Sequence, residues 1–178
     1  MLDSETLTFL NPQEVLEELD IDKQMLAADL GCGAGGWSIP LAKKLTRGRV
    51  YAFDVQEEML SALKSRARLA QVFNIKTLLC DLESEQGTGL KDGSMDLVLV
   101  TNVLFQAEKK EKILKEAERI LKKGGQLLVV DWKKNAPIGP KGKRVSADQV
   151  KKIAGELGLD LKKEFEAGDY HYALIFTK

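Results

Sequence analysis

Residues 25–37 read Met-Leu-Ala-Ala-Asp-Leu-Gly-Cys-Gly-Ala-Gly-Gly-Trp. An apolar run with one acid, Asp29, passes into closely spaced glycines, and a helical pattern opens near Ser38. Gly31, Gly33 and Gly35 or Gly36 permit positive φ and carry no Cβ. A ligand can therefore lie on bare backbone where the next helix presents unpaired N–H groups. This strand, turn and helix point to a nucleotide or nucleoside seat. Gly31-x-Gly33-x-x-Gly36 also satisfies the dinucleotide fingerprint, and Asp54 sits about twenty residues on, where a ribose-binding acid is expected. The motif by itself does not choose the cofactor.

Outward from that turn, the pattern is regular. Asn11-Pro-Gln-Glu14 reads as a capped helix start before Val15, Leu16 and Leu19. Downstream, Ile39, Leu41, Ala42 and Leu45 give a helix face, and Arg49–Val55 is a strand ending on Asp54. Glu57–Val72 is a helix with Met59, Leu60, Leu63, Ala67 and Ala70 toward the core, and Asn74–Leu82 is a third strand closing on Cys80-Asp81-Leu82. Met95–Val103 is nearly continuous apolar sequence, as a buried parallel strand requires, and leaves through Thr101-Asn102. Lys109–Lys123 is an amphipathic helix stopped by Gly124-Gly125 before a strand over Gln126–Trp132. The proline- and glycine-bearing stretch Lys133–Val145 is a basic loop, read either as the holder of an anionic group or as a solvated segment. Ser146-Ala-Asp-Gln149 is a capping box, and strands over Asp160–Glu166 and Tyr170–Thr177 meet across Ala-Gly-Asp. Five strands separated by helices and then a hairpin predict a three-layer α/β domain with a mostly parallel sheet.

Composition narrows the function classes. A chain of 178 residues with 44% hydrophobic content suits one domain, 1–178. Lysines plus arginines equal aspartates plus glutamates at 27 each, which gives no general attraction to nucleic acid or anionic membrane. No stretch reaches the roughly eighteen apolar residues of a membrane span, and an acidic start contrasts with a secretory signal, so the expected location is the cytoplasm. Cys32 and Cys80 end strands separated by another strand, which argues against a disulfide, and no metal-ligand spacing is present. The sequence sets no oligomeric state.

With these elements in place, the chain resembles the class I S-adenosylmethionine-dependent methyltransferases, especially a small branch similar to the quinone-biosynthesis C-methyltransferases. The marks are Asp29-Leu-Gly31-Cys-Gly33-Ala-Gly35, Asp54, Cys80-Asp81-Leu82, Met95-Asp-Leu-Val-Leu-Val-Thr-Asn102 and Leu121-Lys-Lys-Gly-Gly125. The resemblance implies a Rossmann-like seven-stranded sheet of order 3-2-1-4-5-7-6 with the seventh strand antiparallel. It implies S-adenosyl-L-methionine as cofactor, S-adenosyl-L-homocysteine as product and a small-molecule methyl acceptor. Gly31, Gly33 and Gly35 would pass beside the methionine and ribose parts of the donor. Asp54 would accept from the ribose hydroxyls, and Asp81 would take the adenine amino group with Leu82 against the ring. Asp29 and Asn102 would act near the donor's amino group. Residues 1–24 are an expected helical segment over the site, and Asp131 and His171, at strand ends, are the candidates for a general base. Two other readings remain: an adenosylmethionine-binding accessory module without catalysis, and an NAD-binding Rossmann protein.

Overall fold

The computed structural model describes residues 8–178, so residues 1–7 of the expected N-terminal segment lie outside the described residues. Short apolar runs alternating with amphipathic helices can bury both strand faces only if helices cover both sides of one sheet. The chain takes that solution. In order, it forms α1 (Pro12–Leu16), β1 (Leu26–Leu30), α2 (Ser38–Lys44), β2 (Arg49–Asp54), α3 (Glu57–Leu69), β3 (Ile75–Leu79) and β4 (Met95–Thr101). Then come α4 (Lys110–Ile120), β5 (Leu121–Trp132), α5 (Ala147–Glu156), β6 (Asp160–Ala167) and β7 (His171–Thr177). The seven strands lie in the order β3-β2-β1-β4-β5-β7-β6, with β7 antiparallel to both neighbours, as the resemblance implies.

β4 shows why its sequence has no polar alternation. Val98 and Val100 face the layer that holds Ile113, Leu114 and Ala117 of α4 and Val150 of α5. Leu97 and Leu99 face the opposite layer, with Leu16 of α1 and Leu41 and Leu45 around α2. Both faces are buried, so both must be apolar.

Several boundaries differ from the sequence reading; α3, for one, ends at Leu69 and not Val72. β3 stops at Leu79, leaving Cys80-Asp81-Leu82 as loop. The helix expected to run to Lys123 ends at Ile120, because Leu121 is already extended and fully buried beside Met95. Gly124-Gly125 is therefore not a helix stop. Gly124 has a φ of +79° and donates its N–H to the Lys178 carbonyl, while Lys178 donates to the Gly125 carbonyl, so the pair shapes an irregular start to β5.

The starts of α1 and α5 carry side-chain caps. Asn11 accepts the Gln13 N–H at 3.1 Å, and Ser146 Oγ accepts the Gln149 N–H at 3.3 Å while Gln149 Oε1 accepts the Ser146 N–H at 3.0 Å. Ser146→Ala is expected to lower stability by about 1 kcal/mol, seen as an earlier urea midpoint with an unchanged slope. Among the described residues no helix is long and apolar enough to cross a membrane.

Candidate functional site

The six parallel strands, β1 to β6, end on one edge, and a cavity opens there, in the position where open α/β sheets hold ligands. Its volume is about 600 Å³. Six of the sequence-predicted residues line it together: Gly31, Gly33, Asp54, Asp81, Leu82 and Asn102. Four do not: Asp29, Gly35, Asp131 and His171. Residues 8–24 are also absent from its wall.

The glycine turn is built for close approach. Gly31 has φ +81°, and a Cβ there would stand 2.2 Å from Val103 Cγ2; Gly35 has φ +87°, and a Cβ would stand 2.2 Å from Leu63 Cδ1. Gly33, at φ +51°, faces open space. Gly31 and Gly35 thus serve packing against Val103 and α3, and Gly33 leaves backbone bare. Gly36, not Gly35, lines the cavity.

Asp54 is nearly buried at the end of β2. Its Oδ2 accepts the Gly33 N–H at 2.8 Å and its Oδ1 accepts the Gln56 N–H at 2.9 Å. One carboxylate thereby fixes the glycine turn and the entry to α3, with lone pairs left for a ligand's hydroxyls. Asp81 is exposed at the rim and accepts the Glu83 N–H at 2.8 Å, while Leu82 beside it is buried and presents an apolar wall. The loop after Leu82 is pinned from α4: Glu116 accepts from Thr88 N and Oγ1 at 2.7 and 2.5 Å and from Arg119 at 2.8 Å. Cys80 Sγ donates to the Gly87 carbonyl at 3.0 Å.

Asn102 has a φ of +55°, donates its N–H to Val130, and keeps Oδ1 buried with no partner among the described residues. Asp29 lies behind the turn, fully buried. Its Oδ2 accepts the Ser38 hydroxyl at 2.5 Å, its Oδ1 has no partner among the described residues, and burial pushes its pKa up to about 6. The unpartnered Asn102 acceptor, lining the same cavity as the Asp54 carboxylate, fits a ligand that brings N–H and O–H donors.

Asp131 is buried at the end of β5, with its pKa pushed up to about 6 by burial. It accepts the Phe105 N–H at 3.2 Å and the Trp132 N–H at 2.7 Å, so it anchors the loop that carries Val103, Gln106 and Ala107 into the cavity wall. His171 stacks on Trp132 with ring centroids 4.1 Å apart, and neither ring nitrogen has a hydrogen-bond partner among the described residues. Burial, then Lys133 and Arg144, depress its pKa to about 4.

These shifts have opposite signs in stability. For Asp29 and Asp131 the folded value is raised above the 3.8 of a free side chain, so their contribution is full below that value and is lost as pH rises through about 6. For His171 the folded value lies below 6.5, so its contribution is present above 6.5 and lost as pH falls toward 4. His171→Phe, which keeps the stack on Trp132, is expected to lose less thermal stability than the unaltered chain between pH 6.5 and 4. Melting curves across that window check it.

Sequence reading missed Gln56, Met59, Gln106 and Glu83 in the wall. Its apolar spacing places Met59 in the core; it is only half-buried and faces the cavity from the first turn of α3. Its closeness to Asp54 was the available signal. Among the described residues no group of His, Cys, Asp and Glu could hold a metal ion.

Comparison with known proteins agrees with this geometry. The family described as "Methyltransferase domain" matches residues 21–171. The demethylmenaquinone methyltransferase of Staphylococcus aureus (strain MRSA252) is 31% identical over 158 residues, 86% of this chain and 63% of that protein. This chain thus spans less than two thirds of that relative. A SAM-dependent methyltransferase from Aquifex aeolicus superposes with a TM-score of 0.83 at 26% identity, covering 94% of this chain and 89% of that one. The [4+2]-cyclase SpnF superposes with a TM-score of 0.80 at 15% identity, covering 94% and 80%, which is a likeness of fold alone. The chain belongs to the methyltransferase-domain family, with the Rossmann-like sheet of its class I S-adenosylmethionine-dependent members.

Proposed function

We infer that the chain binds S-adenosyl-L-methionine in the cavity at the strand ends and transfers its methyl group to a small-molecule acceptor, releasing S-adenosyl-L-homocysteine. The observation that carries this reading is the meeting of Gly33, Asp54, Asp81, Leu82 and Asn102 around one cavity of about 600 Å³. Asp54 would hold the ribose hydroxyls, Asp81 and Leu82 the adenine, and Asn102 and the buried Asp29 the amino end. When bound, the donor supplies an activated methyl on a sulfonium.

What the protein must add is alignment and exclusion of water. The loop Asn102–Ala107 sets one wall, and its position depends on the carboxylate of Asp131. In this reading Asp131 and His171 belong to the frame of the site, since neither side chain lines the cavity, and transfer proceeds without a dedicated base from either.

The demethylmenaquinone in the relative's name supplies the first acceptor to test. Incubation with methyl-labelled S-adenosylmethionine and a panel of that quinone in reduced form plus small hydroxyl-, amino- and thiol-bearing metabolites should yield labelled product and S-adenosylhomocysteine. Binding of the donor with no S-adenosylhomocysteine formed on any panel member would favour a non-catalytic module.

A further inference from the structure

The other end of the same sheet edge carries a feature that methyl transfer leaves unused. From Trp132 to Ala147 the chain has five basic residues and no acid, although its overall charge is zero. Four of the five, Lys134, Lys141, Lys143 and Arg144, line one groove of about 640 Å³ with Gln149, and no carboxylate lines it. Lys133 is paired with Glu166 at 2.8 Å, but Lys134, Lys141 and Lys143 form no ion pair among the described residues.

The loop that presents these lysines is a built structure. Arg144 donates to the carbonyls of Lys133 at 3.0 Å, Ala136 at 2.7 Å, Ile138 at 2.7 Å and Pro140 at 3.3 Å. Its guanidinium carbon lies 5.7 Å from the centre of the Trp132 ring. Gly139, at φ +97°, presses so close that a Cβ would stand 2.4 Å from that ring. One half-buried fork of donors thus closes a thirteen-residue loop onto the end of β5, spending the charge of Arg144 on the loop's own backbone. A loop of this length without secondary structure is ordinarily either functional or disordered, and this one is pinned. Holding three like charges beside one groove raises the local potential and serves a ligand that neutralises it.

We propose that this groove is a second binding site, for a phosphate-type oxyanion gripped by Lys134, Lys141 and Lys143 on the Arg144-braced loop. The oxyanion comes either from a free phosphorylated small molecule or from a lipid headgroup, and the two sources separate experimentally. The 178-residue chain is titrated calorimetrically with inorganic pyrophosphate at low and high salt, and in parallel sedimented with vesicles of phosphatidylglycerol or of phosphatidylcholine. The same measurements use the variant Lys134→Gln/Lys141→Gln/Lys143→Gln, whose changes are all at exposed side chains.

Pyrophosphate should bind the unaltered chain, weaken with salt, and bind the triple variant about tenfold or more weaker, since three exposed charge contacts are lost. Sedimentation with phosphatidylglycerol alone, abolished in the variant and competed by pyrophosphate, assigns the site to a headgroup; no sedimentation assigns it to a soluble phosphate. Equal pyrophosphate affinity in both proteins, or none in either, overturns the proposal. Adenosylmethionine affinity is measured alongside and should be unchanged in the variant, so failure here is distinct from failure of the cofactor assignment.

Discussion

Gly31→Ala is expected to destabilise the chain by about 2 to 4 kcal/mol and to abolish donor binding in whatever fraction still folds. Two penalties combine. The residue sits at φ +81°, where a Cβ costs on the order of 1 kcal/mol, and that Cβ would stand 2.2 Å from Val103 Cγ2. Val103 cannot turn aside cheaply: it is β-branched, buried, and carried on the loop that Asp131 ties down. Relief must come from displacing the Asn102–Ala107 wall, so stability and binding fall together. Gly33→Ala is the matched control. Its Cβ meets nothing within 4 Å, leaving only the strain of φ +51°, so the variant should fold with a loss of about 1 kcal/mol. Urea unfolding of both variants checks the contrast; equal stabilities would refute this description of the turn.

The second large effect is on affinity. Asp54→Ala should weaken S-adenosylmethionine by about 1.5 to 3 kcal/mol, roughly 10- to 150-fold, as a charged acceptor for the ribose hydroxyls disappears. Part of the loss is indirect, because the same carboxylate fixes Gly33 and Gln56. Asp54→Asn separates the parts: its amide can accept only through one oxygen, so it should fall between the unaltered chain and the alanine variant. Calorimetric titration of the three proteins gives the ordering.

The glycine spacing, the acids at Asp54 and Asp81 and the terminal hairpin make the sheet and the near half of the cavity legible in the sequence itself. They are local signals: a turn that needs bare backbone, and strand ends that share an edge. What stayed hidden depends on side-chain direction and long-range partners. Asp29 sits two residues before Gly31, yet the pleat turns it behind the turn toward Ser38. Asp131 and His171 occupy the right edge, but β5 and β7 aim them at the Phe105 backbone and the Trp132 ring. No spacing rule shows that Arg144 closes the basic loop, since its four carbonyl partners are set by the loop's own path. Leu121 begins β5 because Met95 offers a partner, a contact that helix periodicity cannot register.

The central claim is that the cavity beside Gly33 and Asp54 seats S-adenosylmethionine. Competitive calorimetry with S-adenosylmethionine, S-adenosylhomocysteine and NAD tests it most directly. The first two are expected to bind one shared site on the unaltered chain, with NAD neither binding nor competing. Preference for NAD, or no binding of either adenosyl compound, would contradict it.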